Sequence, residues 1–384
     1  MAKIKVIYLI DTLMVGGAEK SLTDIAINNK EVESVFITIY QGNELAPLLE
    51  QNNIKVYQLN NTFRYGFSRV VKQLIPLLKE IKPDIIHSTL FRADIVARRL
   101  KKNSDFILIS SFVNNSYLKE RYSKLNIVNK AKLFGCQLID KWTASKVDLF
   151  VSNSETIKLS NSNALSVSKD LIKVIYRGRN SKKFSEITNQ EIQDLRLNLQ
   201  IEEDVKILLN VSRLLDRKGQ LDLLKSFKEI NKLYPKTILL IAGEGSFRTT
   251  LENEINALQL SNSAILLGNR SDIQILLKLA DFFVFPSHYE GLPGALIEAM
   301  FAGKIIVCSD IGENKECVSN KEALYFKKGV VSDLIEKLNL VLKANEDYNV
   351  MAANAKNIAM EKFELSSVVG QYNNTYKQLI DNRK

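Results

Sequence analysis

Apolar residues fall along this chain in short unbroken runs, separated by longer stretches in which they recur every three or four positions. The runs read as strands buried on both faces, and the stretches between them as helices with one apolar stripe. The first run, 6–10, stops at Asp11. Others follow at 35–39, 54–57, 84–87, 106–110, 149–151 and 172–175, with the clearest helical patterns at 68–81 and 119–146. The alternation lapses in a polar stretch through Glu203, then resumes with runs at 206–211, 237–242, 264–267, 281–285 and 304–308. Strand alternating with helix predicts parallel sheets covered by helices on both faces. A chain of 384 residues is longer than one core usually serves, so two α/β domains are expected, 1–180 and 181–365, followed by a terminal helical segment, 366–384.

Composition narrows the class. Hydrophobic content of 46% and charged content of 25% are those of an ordinary globular protein. The first run is too short for a signal-peptide core or a bilayer span. Cys136, Cys308 and Cys317 are scattered without C-x-x-C spacing and read as reduced thiols of a cytoplasmic protein, with neither a disulfide framework nor a zinc site. Two histidines are too few for a histidine-rich metal centre, and no Asp-x-Asp suggests a metal-bridged diphosphate, so no metal is expected. The absence of G-x-G-x-x-G argues against a dinucleotide-dependent dehydrogenase.

Charge divides the chain. Residues 1–180 hold 27 Lys and Arg against 16 Asp and Glu, a net of +11, whereas the remainder holds 26 against 27, a net of −1. Basic residues gather at Arg92, Arg98, Arg99, Lys101 and Lys102, and along 119–146, where Tyr117, Leu118, Tyr122, Leu125, Leu133, Phe134 and Trp142 interleave at near-helical spacing. Two readings of that segment stand open: a peripheral contact with anionic lipid, or a solvated basic face over an ordinary core stripe. Nucleic acid ranks last, since no motif for it accompanies the patch.

Candidate chemistry concentrates in two blocks of the second half. The run ending Phe285-Pro286-Ser287 leads into His288-Tyr-Glu-Gly-Leu-Pro-Gly-Ala-Leu-Ile-Glu-Ala-Met300, a strand, a glycine-rich loop and the start of a helix. Its glycines let backbone approach a ligand, and the helix N-terminus offers unpaired N–H groups to an anion. Glu290 and Glu298 bracket that loop. The other block, Lys206 to Gly219, is a strand followed by a loop that carries Arg213 and Lys218. Cations outside the carboxyl end of such a strand suit a diphosphate. Either block alone is weak, because charged loop residues are usually just solvated.

Together the blocks resemble glycosyltransferase family 4, in order and in spacing: Arg-Leu before Lys-Gly, then Glu-Gly-Leu-Pro heading Glu-x7-Glu. The resemblance implies a GT-B fold, with two Rossmann-like parallel-sheet domains facing an interdomain cleft and a C-terminal helix crossing back to the first domain. It implies retaining transfer from a nucleotide-diphosphate sugar, the donor substrate, to a glycan or lipid-linked acceptor, with no cofactor. That would be work for surface polysaccharide or glycolipid synthesis at the inner face of the plasma membrane. Arg213 and Lys218 would stabilise the leaving diphosphate, Glu290 would face the sugar, and Glu298 would hold the ribose. Gly16, Gly17, Gly243, Arg270, Gly291, Leu292 and Pro293 would complete the donor site, and His87 and Asn114 would serve the acceptor. The chain departs from the family pattern at Arg177, where many relatives carry Asn, and at Glu313 and Lys315, the usual Gly and Pro of the loop after the run at 304–308. Three alternatives stay open. A phosphorylase would need a pyridoxal-binding lysine and a much longer chain, and an epimerase would lack the Glu-x7-Glu context. A non-catalytic nucleotide-sugar-binding partner would have no reason to keep both glutamates and both cations.

Overall fold

The protein is described by a computed structural model at residues 3–63, 65–123, 125–343 and 346–383. Seven strands, β1 (Ile4–Ile10), β2 (Val32–Tyr40), β3 (Lys55–Asn61), β4 (Ile85–Thr89), β5 (Ile107–Phe112), β6 (Leu149–Ser152) and β7 (Ile172–Val174), make one sheet in the order β3-β2-β1-β4-β5-β6-β7. Six more, β8 (Lys206–Val211), β9 (Thr237–Ala242), β10 (Ala264–Gly268), β11 (Phe282–Phe285), β12 (Ile305–Ser309) and β13 (Leu324–Phe326), make another in the order β10-β9-β8-β11-β12-β13. The strand pairs of both sheets are parallel. Both faces are covered, which is why the strands are apolar without alternation. In β1, for example, Val6, Tyr8 and Ile10 belong to one buried cluster, and Ile7 and Leu9 to another.

The chain divides into two compact units. The first comprises Met1–Gly178 and Leu365–Lys384, and the second Arg179–Glu364. The helix Leu365–Asp381 belongs to the first because its apolar stripe (Leu365, Val368, Val369, Tyr372 and Tyr376) lies in the cluster that holds Val6, Tyr8 and Ile10. Each sheet starts at its centre, builds outward to one side, then returns to build outward to the other. The point of return lies between β1 and β4 in the first unit and between β8 and β11 in the second. Loops leaving the carboxyl ends of those paired strands part in opposite directions, and a ligand crevice opens there.

The structure departs from the sequence pattern in several places. The single helix expected over 119–146 is cut into Lys119–Ser123 and Ile127–Thr143, with a 3-10 turn at Ala144–Lys146. Asn126 adopts an extended conformation, and its side chain accepts the N–H of Asn129 at 2.9 Å, so it starts a new helix. The polar stretch before Glu203 contains the helix Asn189–Asn198, begun by a capping box between Thr188 and Glu191. Strand β13 and the helix Glu346–Phe363 are further elements that the apolar pattern did not reveal.

Candidate active site

The two motif blocks sit on the paired strands of the second unit's switch point. Arg213, Lys218 and Gly219 follow β8, and His288 to Pro293 follow β11. Gly219 makes the approach of the two loops possible: its φ is +69°, and a Cβ there would collide with the Pro286 carbonyl oxygen. Lys218, last residue of the 3-10 turn Asp216–Lys218, donates to Glu290 Oε1 at 2.5 Å. Arg217 Nη1 donates to the Tyr289 carbonyl at 2.9 Å and stands 3.7 Å from Glu290 Oε2. The His288 N–H donates to the Arg217 carbonyl at 2.8 Å, and its Nε2 lies 2.8 Å from Asp222 Oδ2. Arg217 and the His288–Asp222 contact, which the motif reading did not assign, therefore fasten one loop to the other.

Burial sets the electrostatics. Lys218 and Glu290 are 8% exposed each. Desolvation lowers the Lys218 pKa against the pull of Glu290, and the nearby Arg217 and Arg213 charges lower it further. Burial acts to raise the Glu290 carboxyl, but Lys218, through charge and hydrogen bond, and Arg217 hold it below the ordinary carboxylate range. Glu290 thus stays ionised beside a cation surplus. An ammonium has three donors, and Lys218 gives one to Glu290. Arg213 is exposed and has no hydrogen-bond or ion-pair partner among the described residues, save that its carbonyl accepts from Gln220 at 3.1 Å. The arrangement can receive an anion without first breaking a neutral core.

The other donor candidates are placed as follows. Gly291, Leu292 and Pro293 connect Glu290 to the helix Gly294–Phe301, and Leu292 and Pro293 are buried. Glu298, one turn into that helix, accepts from Arg179 Nε at 2.8 Å. The Arg179 guanidinium also lies over Gly294, where a Cβ would strike its Nη2. Arg179 therefore joins the motif that the sequence reading had assigned to the glutamates alone. Gly243 has φ +140°, and a Cβ there would overlap the Ser212 carbonyl oxygen, so glycine lets the loop after β9 close on the loop after β8. Arg270 is held by a bidentate pair with Asp272, at 2.8 and 2.5 Å. Buried Glu313 accepts the Glu290 N–H at 3.4 Å, another contact the motifs did not announce.

In the first unit the acceptor expectation for His87 is corrected. It is 0% exposed, its Nδ1 lies 2.9 Å from the Tyr376 hydroxyl and its Nε2 2.7 Å from the Ser111 hydroxyl. With both nitrogens engaged and burial lowering its pKa to about 3, the ring is a neutral part of the core. Asn114 is exposed and lines a cavity of about 390 Å3 with Asp11, Leu90, Arg92, Arg121 and Asp140. Asp11 ends β1 and accepts from the Ala93 N–H at 3.0 Å and from Arg92 at 3.1 Å. Leu90, after β4, has φ +78°, a strained value for a branched residue, at the cavity wall. Gly16 and Gly17 open the helix Gly17–Asn28, with the Arg177 guanidinium beside Gly17.

The family model of glycosyl transferases group 1 matches residues 191–358. A galactosyltransferase of Escherichia coli, named for transfer from UDP-Gal to α-D-GlcNAc-diphosphoundecaprenol, is 26% identical over 324 residues, 81% of this chain and 79% of that protein. The capsular polysaccharide biosynthesis glycosyltransferase CapH of Staphylococcus aureus is 29% identical over 323 residues, 82% and 83% of the two chains. Among solved structures, Anabaena HepE in complex with UDP and glucose superposes with a TM-score of 0.85 at 21% identity, covering 98% of this chain and 100% of that one. Residues 191–358 thus match the group 1 glycosyltransferases, and the two Rossmann-like units are those of the GT-B fold. Among the described residues no cluster of three or more His, Cys, Asp or Glu could hold a metal, and no helix is long and apolar enough to cross a membrane.

Proposed function

We propose that the second unit binds a nucleoside diphosphate sugar and the first a glycan or lipid-linked acceptor, and that transfer retains anomeric configuration and needs no metal or cofactor. The observation that carries this reading is the buried Lys218–Glu290 pair beside unpartnered Arg213, at the carboxyl ends of β8 and β11. In the reaction the bond from the anomeric carbon to the β-phosphate oxygen breaks, and the diphosphate leaves with its electron pair. The acceptor oxygen forms the new bond on the same face, and its proton passes to the departing phosphate. Lys218 and Arg213 stabilise the charge that develops on that leaving group, and the N-terminus of the helix after Pro293 adds to them. Glu290 orients sugar hydroxyls, and Glu298, steadied by Arg179, takes the ribose. Gly243, Arg270 and the Gly291–Pro293 backbone shape the nucleotide side, and Asn114 faces the acceptor. The UDP in HepE and the UDP-Gal and lipid diphosphate of the E. coli relative support this choice of donor and acceptor class. We place the work at the cytoplasmic face of an anionic membrane, in surface polysaccharide or glycolipid synthesis, a site that suits the basic first unit.

The test is a panel of UDP, GDP, ADP and TDP sugars with diphosphate release as the readout, with and without EDTA, and NMR of the product anomer. One donor class should react, with its configuration kept and the rate indifferent to EDTA. An inverted product, or a rate abolished by chelation, would overturn the mechanism, and silence across the panel would return the chain to a binding role.

A further inference from the structure

The helix Ile127–Thr143 has two opposed faces. One supplies Leu133, Cys136 and Asp140 to the first unit's cavity. The other is apolar and open: Ile127 is 83% exposed, Val128 61%, Phe134 55%, Leu138 50%, Ile139 43% and Trp142 83%. At 3.6 residues per turn these six positions span about 140° of the helix, centred opposite the cavity wall. Lys130 and Lys141 flank that arc on one edge and Lys132 on the other, all exposed. Asp140, the helix's acidic residue, is buried and pairs with Arg98 at 2.5 Å. The solvent side of this helix therefore carries apolar groups and positive charge and no negative charge. Aqueous surfaces rarely expose so continuous an apolar patch, and the core-stripe reading of Phe134 and Trp142 is excluded by their exposure.

We propose that this helix lies in the interface of an anionic bilayer, its apolar arc at the boundary of headgroups and acyl chains and its lysines against lipid phosphates. An apolar wedge edged by lysines, with tryptophan in the helix's last turn, is the pattern that headgroup-level helices use. A protein partner would need an apolar groove with acidic groups on both of its edges, whereas an anionic bilayer offers acyl chains and phosphates along the whole helix. The first unit's net charge, 29 Lys and Arg against 17 Asp and Glu, adds long-range attraction to the same surface. Because the helix's reverse side walls the cavity, an acceptor anchored in the bilayer would reach that cavity without leaving the membrane. This deepens the membrane reading given above and rests on it, but not on the assignment of the donor site. Vesicle binding is measured without any sugar nucleotide, so either proposal can fail alone.

Trp142 is the chain's single tryptophan, so its fluorescence reports directly on this helix. With full-length protein, vesicles containing phosphatidylglycerol should shift Trp142 emission to the blue, and brominated acyl chains should quench it. Pure phosphatidylcholine should give a much weaker response, and added salt should reduce binding. Ile127→Glu with Leu138→Glu should lower vesicle partitioning roughly tenfold or more, since both apolar anchors are replaced by charge, with circular dichroism unchanged at these exposed sites. No shift with anionic vesicles overturns the proposal. So does a lipid-free shift that grows with protein concentration and tracks a dimer in sedimentation, which would assign the face to a second copy. Binding that survives the double substitution but is lost in Lys130→Gln/Lys132→Gln/Lys141→Gln would overturn insertion in favour of charge alone.

Discussion

The two units order their strands alike and use the resulting switch points differently. The second unit gathers charges that answer one another: Lys218 with Glu290 in the loops after β8 and β11, Arg179 with Glu298 at the helix beyond, and Arg270 with Asp272 after β10. Its total is 24 Lys and Arg against 26 Asp and Glu, a net of −2. After β1 and β4 the first unit opens a cavity beside a cationic, apolar helix, on a net of +12. Here Arg92 leans on Asp11 and on the Tyr40 and Tyr65 rings, 5.6 and 5.7 Å from its guanidinium carbon. One unit pairs its charges in place. The other presents a surface. The same topology can therefore carry either kind of recognition, because it fixes where the loops part and leaves their chemistry free.

Breaking the second unit's arrangement should give the largest effect. Lys218→Ala should lower kcat/KM for transfer by roughly 30- to 1,000-fold, about 2–4 kcal/mol of transition-state stabilisation, and should also lower the Tm by leaving Glu290 buried without its cation. Arg213→Ala should lose activity in the same direction with an unchanged Tm, since that side chain is exposed. Equal Tm losses in the two variants would erase the distinction between pre-paid and available charge.

Gly219→Ala comes next. It forces a Cβ against Pro286 and should cost about 1–3 kcal/mol in urea unfolding, with a raised donor KM, because the loops after β8 and β11 can no longer close. A normal KM would mean that their approach does not shape the site.

In the first unit the expected signal is pH. His87 has its pKa lowered from 6.5 to about 3 by burial, so the stability gained by keeping it neutral is complete above 6.5 and drains as pH falls toward 3. Between pH 7 and 5 this should remove about 2 kcal/mol. His87→Gln should flatten that dependence whatever its own stability, and an unchanged slope would place the titration elsewhere. The smallest effect concerns the partly buried Arg179–Glu298 pair, for which a double-mutant cycle should return a coupling of about 1 kcal/mol. A coupling near zero would leave Arg179 a bystander at the helix N-terminus.

The two motif blocks were legible because their residues are neighbours in sequence: a strand, a glycine and a charge fall within a dozen positions, and the strand order then joins the two blocks. Most strands were legible too, since burial on both faces writes them as apolar runs. The cavity of the first unit was not. Its walls come from the ends of β1, β4 and β5 and from a helix whose start depends on the cap at Asn126, so no local pattern unites them. His87 stayed ambiguous because a histidine ending a strand can serve a ligand or the core, and only the remote Tyr376, which fills its bonding capacity, decides. Arg179 escaped notice because its partner Glu298 is far along the chain. The helix Asn189–Asn198 was hidden by its polarity, although Thr188 and Glu191 carried the capping signal. The apolar residues of Ile127–Thr143 have the spacing of a core stripe, and only their exposure tells an outward-facing arc from a buried one.

The helix Leu365–Asp381 has a consequence for the order in which the protein is made. Domains fold as they emerge from the ribosome, and the second unit, Arg179–Glu364, is contiguous. The first unit is written in two pieces, and Tyr376, which closes on His87 and stands 3.4 Å from the Tyr8 hydroxyl, arrives only after the whole second unit. The unit begun first is thus completed after the second. Until Tyr376 is made, the nascent chain carries an unfinished first core and an exposed apolar helix together with a finished second unit, and the helix Leu365–Asp381 is the piece that completes the unit holding the cavity.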